Sequence, residues 1–250
     1  MVERSRSPRP PDFLIVGGQR CGTASLFDAL MAHPLIVPPA RREIHYFDLR
    51  HWRGRRWYHR QFVRPVGTRS GESSPYYLFH PDAPGRVARH LPGVPVVALV
   101  RDPIDRAWSQ YQHNRRHGRE DLDFLDALAA EDDRLAAARI PRRDRFVLPH
   151  RDHSYAARGR YRGQLDRWSA AVGRGAMLVV ASAQLYERPD EVHGRVLEHL
   201  GLPIERLPTP HRHRSTERMT AETREAAGRF FTWVERQETE LRRRYDVGFS

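Results

Sequence analysis

The chain contains no lysine, so arginine supplies all 43 of its basic side chains. It has a single cysteine, Cys21, which excludes an internal disulfide and fits a reducing compartment. Its apolar runs reach only about seven residues, whereas a transmembrane helix needs roughly 20. The sequence therefore predicts a cytoplasmic protein without a membrane partner.

The chain also lacks a signature of nucleic-acid binding, although its formal net charge is +12. Its arginines are interleaved with acidic residues, as in 119–121 and 131–134. No helix-turn-helix, zinc-finger or RNA-binding pattern is present. We therefore expect an anionic small molecule, and no nucleic acid, to account for the excess charge.

What is present is a pattern of short apolar strands alternating with helices over 250 residues, a length that fits one large domain. Residues 13–16, 94–100 and 176–181 are continuous apolar runs, which are typical of parallel strands buried on both faces. A long C-terminal helix is predicted over 222–244. The pattern therefore predicts an α/β fold with a central parallel sheet flanked by helices.

Two segments fall outside this pattern. Residues 1–11 are rich in arginine, serine and proline and are predicted to be a disordered lead-in. Residues 12–250 are then a single domain. Residues 140–160 are polar and aperiodic, so we expect them to form a mobile segment over the site.

The most informative stretch follows the first strand, where Gly17 and Gly18 lead into a polar loop and a helix start. A strand, a glycine turn and a helix N-terminus form an anion site, because free N–H groups and the helix dipole favour negative charge. Arg20 adds a positive charge, and Thr23 and Ser25 add hydroxyl donors. We expect the following residues to bind phosphate: Gly18, Arg20, Cys21, Gly22, Thr23, Ala24 and Ser25.

This loop differs from the loop that binds nucleoside triphosphates, Gly-x4-Gly-Lys-Ser/Thr. Gly17 and Gly22 have the required separation, but Thr23 stands where the lysine is needed. Without that lysine, and with no clear Mg²⁺ carboxylate, phosphoryl transfer loses its usual charge neutralisers. The loop therefore suits a phosphate ester that needs less neutralisation; the alternative is a plain connecting turn.

A second polar cluster follows the strand at 94–100. Asp102 and Pro103 are typical of a helix opening, which places Arg101 at the carboxyl end of the strand, where parallel sheets bind ligands. Ser109 lies about two turns into this helix and joins Arg101 in a second phosphate site. The structural alternative for Arg101 is an ion pair with Asp102 or Asp105.

Two motifs carry a family resemblance. They read Gly-x-x-Arg-Cys-Gly-Thr-x-Ser-Leu after the first strand and Arg-Asp-Pro-x-x-Arg-Ala-x-Ser-x-Tyr after the later strand. They resemble the cofactor motifs of sulfotransferases that use 3′-phosphoadenosine 5′-phosphosulfate (PAPS), above all the heparan (glycosaminoglycan) branch and its bacterial relatives. Segments 42–48 and 71–78 resemble the Lys-Glu-x-x-x-Phe and Glu-x-Ser/Thr-Pro-x-Tyr segments of that family.

The resemblance implies a P-loop-like three-layer fold and assigns roles to the two clusters. The glycine loop is implied to bind the 5′-phosphosulfate, and Arg101 and Ser109 the 3′-phosphate. Arg20 stands where the family has a lysine and is implied to stabilise the leaving phosphate. Arg214, in a basic stretch near the C-terminus, is the nearest counterpart of a family loop that closes over the cofactor.

The resemblance also implies a base. Glu43 matches the family's catalytic glutamate, and the alternative for it is a salt bridge with Arg41 or Arg42. His45 is the rival, because residues i and i+2 of an extended segment share a face and histidine titrates near neutrality. The cytosolic sulfotransferase branch uses a histidine base, so both residues stay candidates.

The implied reaction transfers a sulfuryl group to a hydroxyl or amine of a small-molecule or carbohydrate acceptor, releases adenosine 3′,5′-bisphosphate (PAP) and needs no metal. The acceptor stays open among sugar, polyketide, lipid, phenol and amine, as does the oligomeric state, and we expect a bacterial enzyme of secondary metabolism. The other functions left open are a Mg²⁺-dependent P-loop kinase or nucleotide hydrolase and a basic nucleic-acid-binding module. Aromatic residues after the base are expected to line the acceptor surface: Tyr46, Phe47, Trp52, Trp57 and Tyr58.

Overall fold

A computed structural model describes residues 6–138, 149–209 and 217–249. Its strands form a two-stranded and a four-stranded sheet. In chain order they are β1 (Arg6–Pro8), β2 (Phe13–Gly17), β3 (Val63–Pro65), β4 (Gly71–Ser73), β5 (Val96–Val100) and β6 (Met177–Ala181).

The larger sheet is parallel throughout, with the spatial order β4-β2-β5-β6. Every residue of β2 and β5 is buried. Both strands therefore read as unbroken apolar runs, because a parallel sheet is covered on its two faces. The predicted α/β fold with a central parallel sheet is confirmed.

Helices connect and cover these strands. In the described part of the chain they are α1 (Thr23–Leu30), α2 (Gly54–His59), α3 (Ala83–His90), α4 (Pro103–Arg116), α5 (Phe124–Ala129), α6 (Glu131–Ala136), α7 (Pro149–Asp152), α8 (Tyr161–Val172), α9 (Ser182–Glu187), α10 (Pro189–His199), α11 (Ala221–Gly228) and α12 (Val234–Tyr245).

The apolar side chains form one main core and one smaller cluster. In the main core α3 packs against α8, whose Leu165 and Trp168 are fully buried. The smaller cluster joins α4 to α5 and to the residues after α11, with Tyr111, Phe124 and Phe231 among its members. Burying each of these large side chains contributes about 1.5–3 kcal/mol to folding.

The predicted disordered lead-in, residues 1–11, is corrected in its described part, residues 6–11, whereas residues 1–5 lie outside the described residues. β1 pairs antiparallel with β3. The buried guanidinium of Arg64 in β3 binds the Asp12 carboxylate at 2.7 Å and donates to the carbonyl oxygen of Pro10 at 2.9 Å. These contacts fix the segment beside the domain. The domain boundary at residue 12 stays a prediction.

The predicted helix over 222–244 is wrong in one respect, because it is two helices. α11 ends at Gly228, and glycine costs a helix interior about 1 kcal/mol relative to alanine. The turn after it carries Phe231 into the smaller apolar cluster, where 3% of the residue is exposed. Burial of this ring therefore accompanies the break before α12 begins at Val234.

The segment 140–160 is also different from the prediction. Residues 139–148 lie outside the described residues, and from Pro149 the chain is packed. α7 is followed by a helical turn over Ala157–Gly159, and Tyr155 is fully buried. A polar sequence here reflects side chains that bond to the neighbouring backbone, not a segment in solvent.

A fully buried carboxylate, that of Glu72 in β4, organises the loop between α1 and α2. It accepts hydrogen bonds from the hydroxyls of Tyr58 (2.6 Å), Ser74 (2.7 Å) and Tyr77 (3.0 Å) and from the N–H of Ile44 (3.2 Å). Burial raises the pKa of Glu72 to about 7, although the three hydroxyl donors oppose the rise. The loop backbone is thus tied to the sheet through one carboxylate.

Substituting Gly71→Ala at the start of β4 is expected to destabilise the fold by about 2 kcal/mol or more. A Cβ there would lie 2.5 Å from the Phe13 ring and 2.6 Å from the Phe13 carbonyl oxygen, and backbone cannot move aside cheaply. Thermal unfolding measures the loss. The matched control is Gly194→Ala within α10, where a Cβ meets nothing within 4 Å. Helix propensity predicts a gain there of up to about 1 kcal/mol, and equal effects of the two variants would contradict this packing.

Substituting Glu72→Gln is expected to lower the free energy of unfolding at pH 8 by about 1–3 kcal/mol, because an amide NH₂ would face donors that need an acceptor. The folded pKa of Glu72 is near 7, above that of an unfolded carboxyl, so wild-type stability falls as pH rises from about 4.3 to 7. Glu72→Gln has no carboxyl group at this position, so it should lose this part of the pH dependence of stability. Calorimetry at several pH values tests both effects, with Tyr58→Phe, which removes one donor only, as a milder control. Unchanged stability and slope in Glu72→Gln would refute the assignment.

Candidate functional site

The loop between β2 and α1 forms one wall of a cavity of about 970 Å³. Gly22 caps α1 with a φ of 93°, and a Cβ there would lie 2.9 Å from the Tyr186 hydroxyl, so only glycine fits. The first turn of α1 has no acidic residue and presents its N–H groups to the cavity end. The loop residues that line the cavity are Gln19, Arg20, Gly22, Thr23, Ala24 and Ser25.

The second motif lies directly beside this loop. Asp102 caps α4 by accepting from the Asp105 N–H at 2.8 Å, which places Arg101 and Ser109 on the cavity. The Arg20 Nε donates to the Ser109 hydroxyl at 3.0 Å, and the Arg101 guanidinium donates to the Arg20 carbonyl oxygen at 3.3 Å. The structure thus brings the key residues of both sequence motifs into one cluster.

The carboxylates that were the alternative partners of Arg101 bind a different cation. Arg224 of α11 lies 3.1 Å from Asp102 and 2.5 Å from Asp105. Arg101 and Arg20 therefore face the cavity side by side. Burial, with a further contribution from Arg116 and Arg101, lowers the pKa of Arg20. Like charges held this close favour an anion between them.

The other wall of the cavity carries a chain of three titratable groups. His45 Nδ1 lies 2.7 Å from the Asp48 carboxylate, and its Nε2 lies 3.2 Å from the Glu43 carboxylate. The Asp48 side chain is fully buried, whereas that of Glu43 is 47% exposed and borders the cavity. His45 therefore bridges a buried and an accessible carboxylate.

These neighbours change the proton affinity of the imidazole. Burial opposes the charged form of His45, but the carboxylates of Asp48 and Glu43 outweigh it and raise the pKa to about 10. His45 is then an imidazolium at neutral pH, with both ring nitrogens donating. The pKa of Glu43 is lowered, because its bond to His45 overcomes the effect of its own burial. Of the two base candidates, only Glu43 has a free lone pair at pH 7.

Two site candidates adopt backbone conformations that are uncommon for their residue type. Arg20 has a φ of 67° and His45 a φ of 55°, both in the left-handed region. The surroundings hold each of them: Arg101 binds the Arg20 carbonyl, and the Ser74 hydroxyl accepts from the His45 N–H at 3.1 Å. Strained residues of this kind cluster at functional sites.

Several predicted site residues lie elsewhere. The side chain of Cys21 is buried against the Tyr161 hydroxyl (3.6 Å), and burial raises the pKa of its thiol. The Gly18 N–H donates to the Leu99 carbonyl oxygen at 2.6 Å. Neither residue borders the cavity. Arg214 lies outside the described residues.

The prediction of an aromatic acceptor surface is wrong for three of its five residues. Three of its members, Tyr46, Phe47 and Tyr58, are buried in the main core. Trp52 is 52% exposed, but neither it nor Trp57 borders the cavity. These three aromatic residues pack in the core and are held there by the hydrogen bonds around Glu72.

The cavity also contains residues that the sequence did not single out. Tyr76, Arg151 and Arg158 border it beyond Glu43, and Asp48 acts on it through His45. The spacing of Asp48 from His45, three residues along one turn, is the only local signal. Tyr76 lies in the segment 71–78 that carries part of the family resemblance, and Arg151 and Arg158 lie in the segment 140–160 that the sequence predicts over the site. Neither segment indicates by its sequence which side chains reach the cavity.

The described residues contain neither a metal-binding cluster nor a membrane-spanning helix. No group of three or more histidine, cysteine, aspartate or glutamate side chains among them is placed to hold a metal ion. None of their helices has both the length and the apolar character needed to cross a bilayer.

Known proteins resemble the chain in sequence. The bifunctional heparan sulfate N-deacetylase/N-sulfotransferase 4 of Mus musculus is 29% identical over 215 residues, which are 80% of this chain and 23% of the mouse protein. The human N-deacetylase/N-sulfotransferase 1 is 30% identical over 206 residues, 78% of this chain and 22% of the human one. The chain thus spans less than a quarter of the length of these relatives.

Solved structures agree with the sequence matches. A sulfotransferase from Alicyclobacillus acidocaldarius superposes with a TM-score of 0.75 at 28% identity, covering 93% of this chain and 96% of that one. The mouse sulfotransferase SULT7A1 complexed with PAP shares the fold alone, with a TM-score of 0.51 and 14% identity over 79% of this chain and 61% of the other. The sulfotransferase domain pattern matches residues 10–248, which confirms the resemblance carried by the two motifs. The chain belongs to the sulfotransferase domain family.

Proposed function

We propose that the protein transfers a sulfuryl group from PAPS to a hydroxyl or amine of a carbohydrate or small-molecule acceptor. The observation that carries this proposal is the joining of two anion sites in one cavity, with Arg20 bonded to Ser109 and to Arg101. A carboxylate, Glu43, borders the same cavity. A nucleotide with phosphates at two separate positions fits this arrangement.

The donor set suits PAPS at both ends. The N–H groups of the first turn of α1, with the hydroxyls of Thr23 and Ser25, offer donors to a 5′-phosphosulfate. Arg101 and Ser109 offer a guanidinium and a hydroxyl to a 3′-phosphate. When bound, PAPS supplies an activated sulfuryl group whose leaving group is a phosphate.

Glu43 is the proposed general base. His45 donates to one oxygen of the Glu43 carboxylate and leaves the other free to accept the acceptor's proton. Asp48 holds the imidazole from behind through Nδ1. His45 is therefore proposed to orient Glu43, since an imidazolium with a pKa near 10 cannot itself accept a proton.

Arg20 is the proposed stabiliser of the leaving phosphate. Its guanidinium borders the cavity and is fixed by Ser109. A guanidinium keeps its proton, so Arg20 acts through charge and hydrogen bonds and not as an acid.

The acceptor and the cellular setting are finer proposals. The relatives named for heparan sulfate N-sulfation support a carbohydrate amine or hydroxyl, and a small metabolite in a bacterial cytoplasm is the other candidate. A kinase that uses Asp102 for Mg²⁺ has no support, because Asp102 caps α4 and binds Arg224.

Calorimetric titration with PAP is expected to show tight binding without metal, and Arg101→Ala to weaken it about tenfold or more through loss of a charge-assisted hydrogen bond. The matched control is Arg188→Ala, which removes an exposed arginine paired with Glu191 away from the cavity and should leave PAP affinity unchanged. Binding of ATP–Mg²⁺ with indifference to PAP would overturn the proposal in favour of a kinase.

Substituting Asp48→Asn is expected to lower the pKa of His45 by more than one unit, because the buried carboxylate favours the imidazolium. Proton NMR measures it, with His45→Asn identifying the signal. In wild type the folded pKa lies above the ordinary 6.5, so the stabilising contribution of the charged ring is complete below about pH 6.5 and lost as pH rises towards 10. Glu43→Gln should lower the pKa of His45 by less than Asp48→Asn does, because the Glu43 side chain is half-exposed. A wild-type pKa near 6.5 would restore His45 as the base.

A further inference from the structure

Arg158 is a buried cation at the edge of the cavity, with 4% of the residue exposed. Its Nε donates to the Ser154 hydroxyl at 2.7 Å, and its two terminal nitrogens donate to the Gln19 side-chain oxygen and to the Arg151 carbonyl oxygen. It makes no ion pair within the described parts of the chain. Burial lowers the pKa of Arg158 to about 10, so the group is still charged at neutral pH.

Aromatic rings complete the surroundings of this guanidinium. Its central carbon lies 4.9 Å from the centre of the Tyr76 ring and 5.3 Å from that of Phe79. Cation–π contacts compensate part of the lost hydration when the cation is desolvated. These contacts therefore fix the plane and direction of the Arg158 guanidinium, and with them the orientation of the side chain that accepts its hydrogen bond.

That side chain is Gln19, which precedes Arg20 in the phosphate loop. A guanidinium can only donate hydrogen bonds, so the amide oxygen of Gln19 has to face Arg158 and the NH₂ group has to face away. Gln19 borders the cavity. Its Nε2 has no hydrogen-bond partner among the residues that the structure describes, so two N–H donors are available to the cavity.

Gln19 is linked by contacts to both walls of the cavity that it borders. On one side Arg20 joins it to Ser109 and the proposed phosphate contacts. On the other, Arg158 touches Tyr76, which lies two residues after Ser74, and the Ser74 hydroxyl binds the His45 N–H. The available amide therefore lines the same cavity as the phosphate-loop donors and Glu43, so a ligand that occupies this cavity can reach it.

We propose that Arg158 is a positioning residue that fixes Gln19, and that Gln19 Nε2 donates a hydrogen bond to the sulfuryl oxygens. This inference rests on the proposed function and adds a specificity determinant to it. The amide distinguishes PAPS from PAP, because PAP lacks the sulfuryl group. A neutral donor suits this position, since a sulfuryl group spreads its charge over several oxygens.

The test compares affinities for PAPS and PAP by calorimetry in the absence of acceptor. Gln19→Glu keeps an oxygen for Arg158 but removes the N–H donors. Its added charge repels both nucleotides, so the expected result is a PAPS-to-PAP affinity ratio lowered by about tenfold or more. Gln19→Ala should show the same selectivity. Gln61→Ala removes a glutamine whose amide binds the Trp57 carbonyl away from the cavity, and should leave the PAPS-to-PAP ratio unchanged.

The role of Arg158 is tested through its coupling to Gln19. Arg158→Lys keeps the charge but loses the planar fork, so it should also lower the PAPS-to-PAP ratio, and the double variant with Gln19→Ala should lower it no further. An unchanged ratio in Gln19→Glu would overturn the inference, and additive losses in the double variant would overturn the positioning role of Arg158. If Arg158→Lys fails to fold, the PAPS-to-PAP affinity ratio of Gln19→Glu alone decides whether the inference stands.

The failure of the proposed function looks different. Wild-type protein that binds neither PAPS nor PAP would overturn that function and this inference together. Wild-type binding of PAP with equal losses for both nucleotides in the Gln19 variants would leave the function standing and overturn the inference alone.

Discussion

The buried carboxylate of Glu72 is the constraint on which the loop that carries Glu43, the proposed base, depends. It is fully desolvated and has four donors, one of which is the backbone N–H of Ile44, beside Glu43. The Tyr77 hydroxyl that it orients accepts in turn from the N–H groups of Tyr46 and Phe47. An unsatisfied carboxylate in this position would cost several kcal/mol. Separating the loop from the sheet would therefore incur that cost, so the groups on the loop keep their positions.

The phosphate side differs from the surroundings of Glu72, because its described residues hold positive charges close together without pairing them with carboxylates. Arg20, Arg101 and Arg158 border one cavity, while two carboxylates beside Arg101, those of Asp102 and Asp105, bind Arg224. Backbone carbonyls, hydroxyls and aromatic rings hold the guanidinium groups in place. Such an arrangement destabilises the empty fold and strengthens the binding of a polyanion, since like charges repel until a ligand neutralises them.

Local sequence signals predicted the parts of this structure that local physics determines. The apolar runs at β2, β5 and β6, the glycine loop and the cap at Asp102 follow from periodicity, backbone freedom and hydrogen bonding between near neighbours. The contact of Arg158 with Gln19 joins residues 139 positions apart and has no such signal. The same holds for the pairing of β1 with β3 and for the burial of Phe231, each of which depends on a distant partner.

The absence of lysine gives the cavity a property that its shape alone does not reveal. Among the described residues, the two cations joined beside the phosphate loop, Arg20 and Arg101, are guanidinium groups, which keep their charge throughout the ordinary pH range. The groups of the opposite wall, Glu43 and His45, can gain or lose protons. For the proposed reaction, the charge that the two arginines offer to a nucleotide then stays constant with pH, whereas the proposed base and its histidine partner change theirs. The phosphate side also has no lysine side chain, so lysine acylation cannot regulate it.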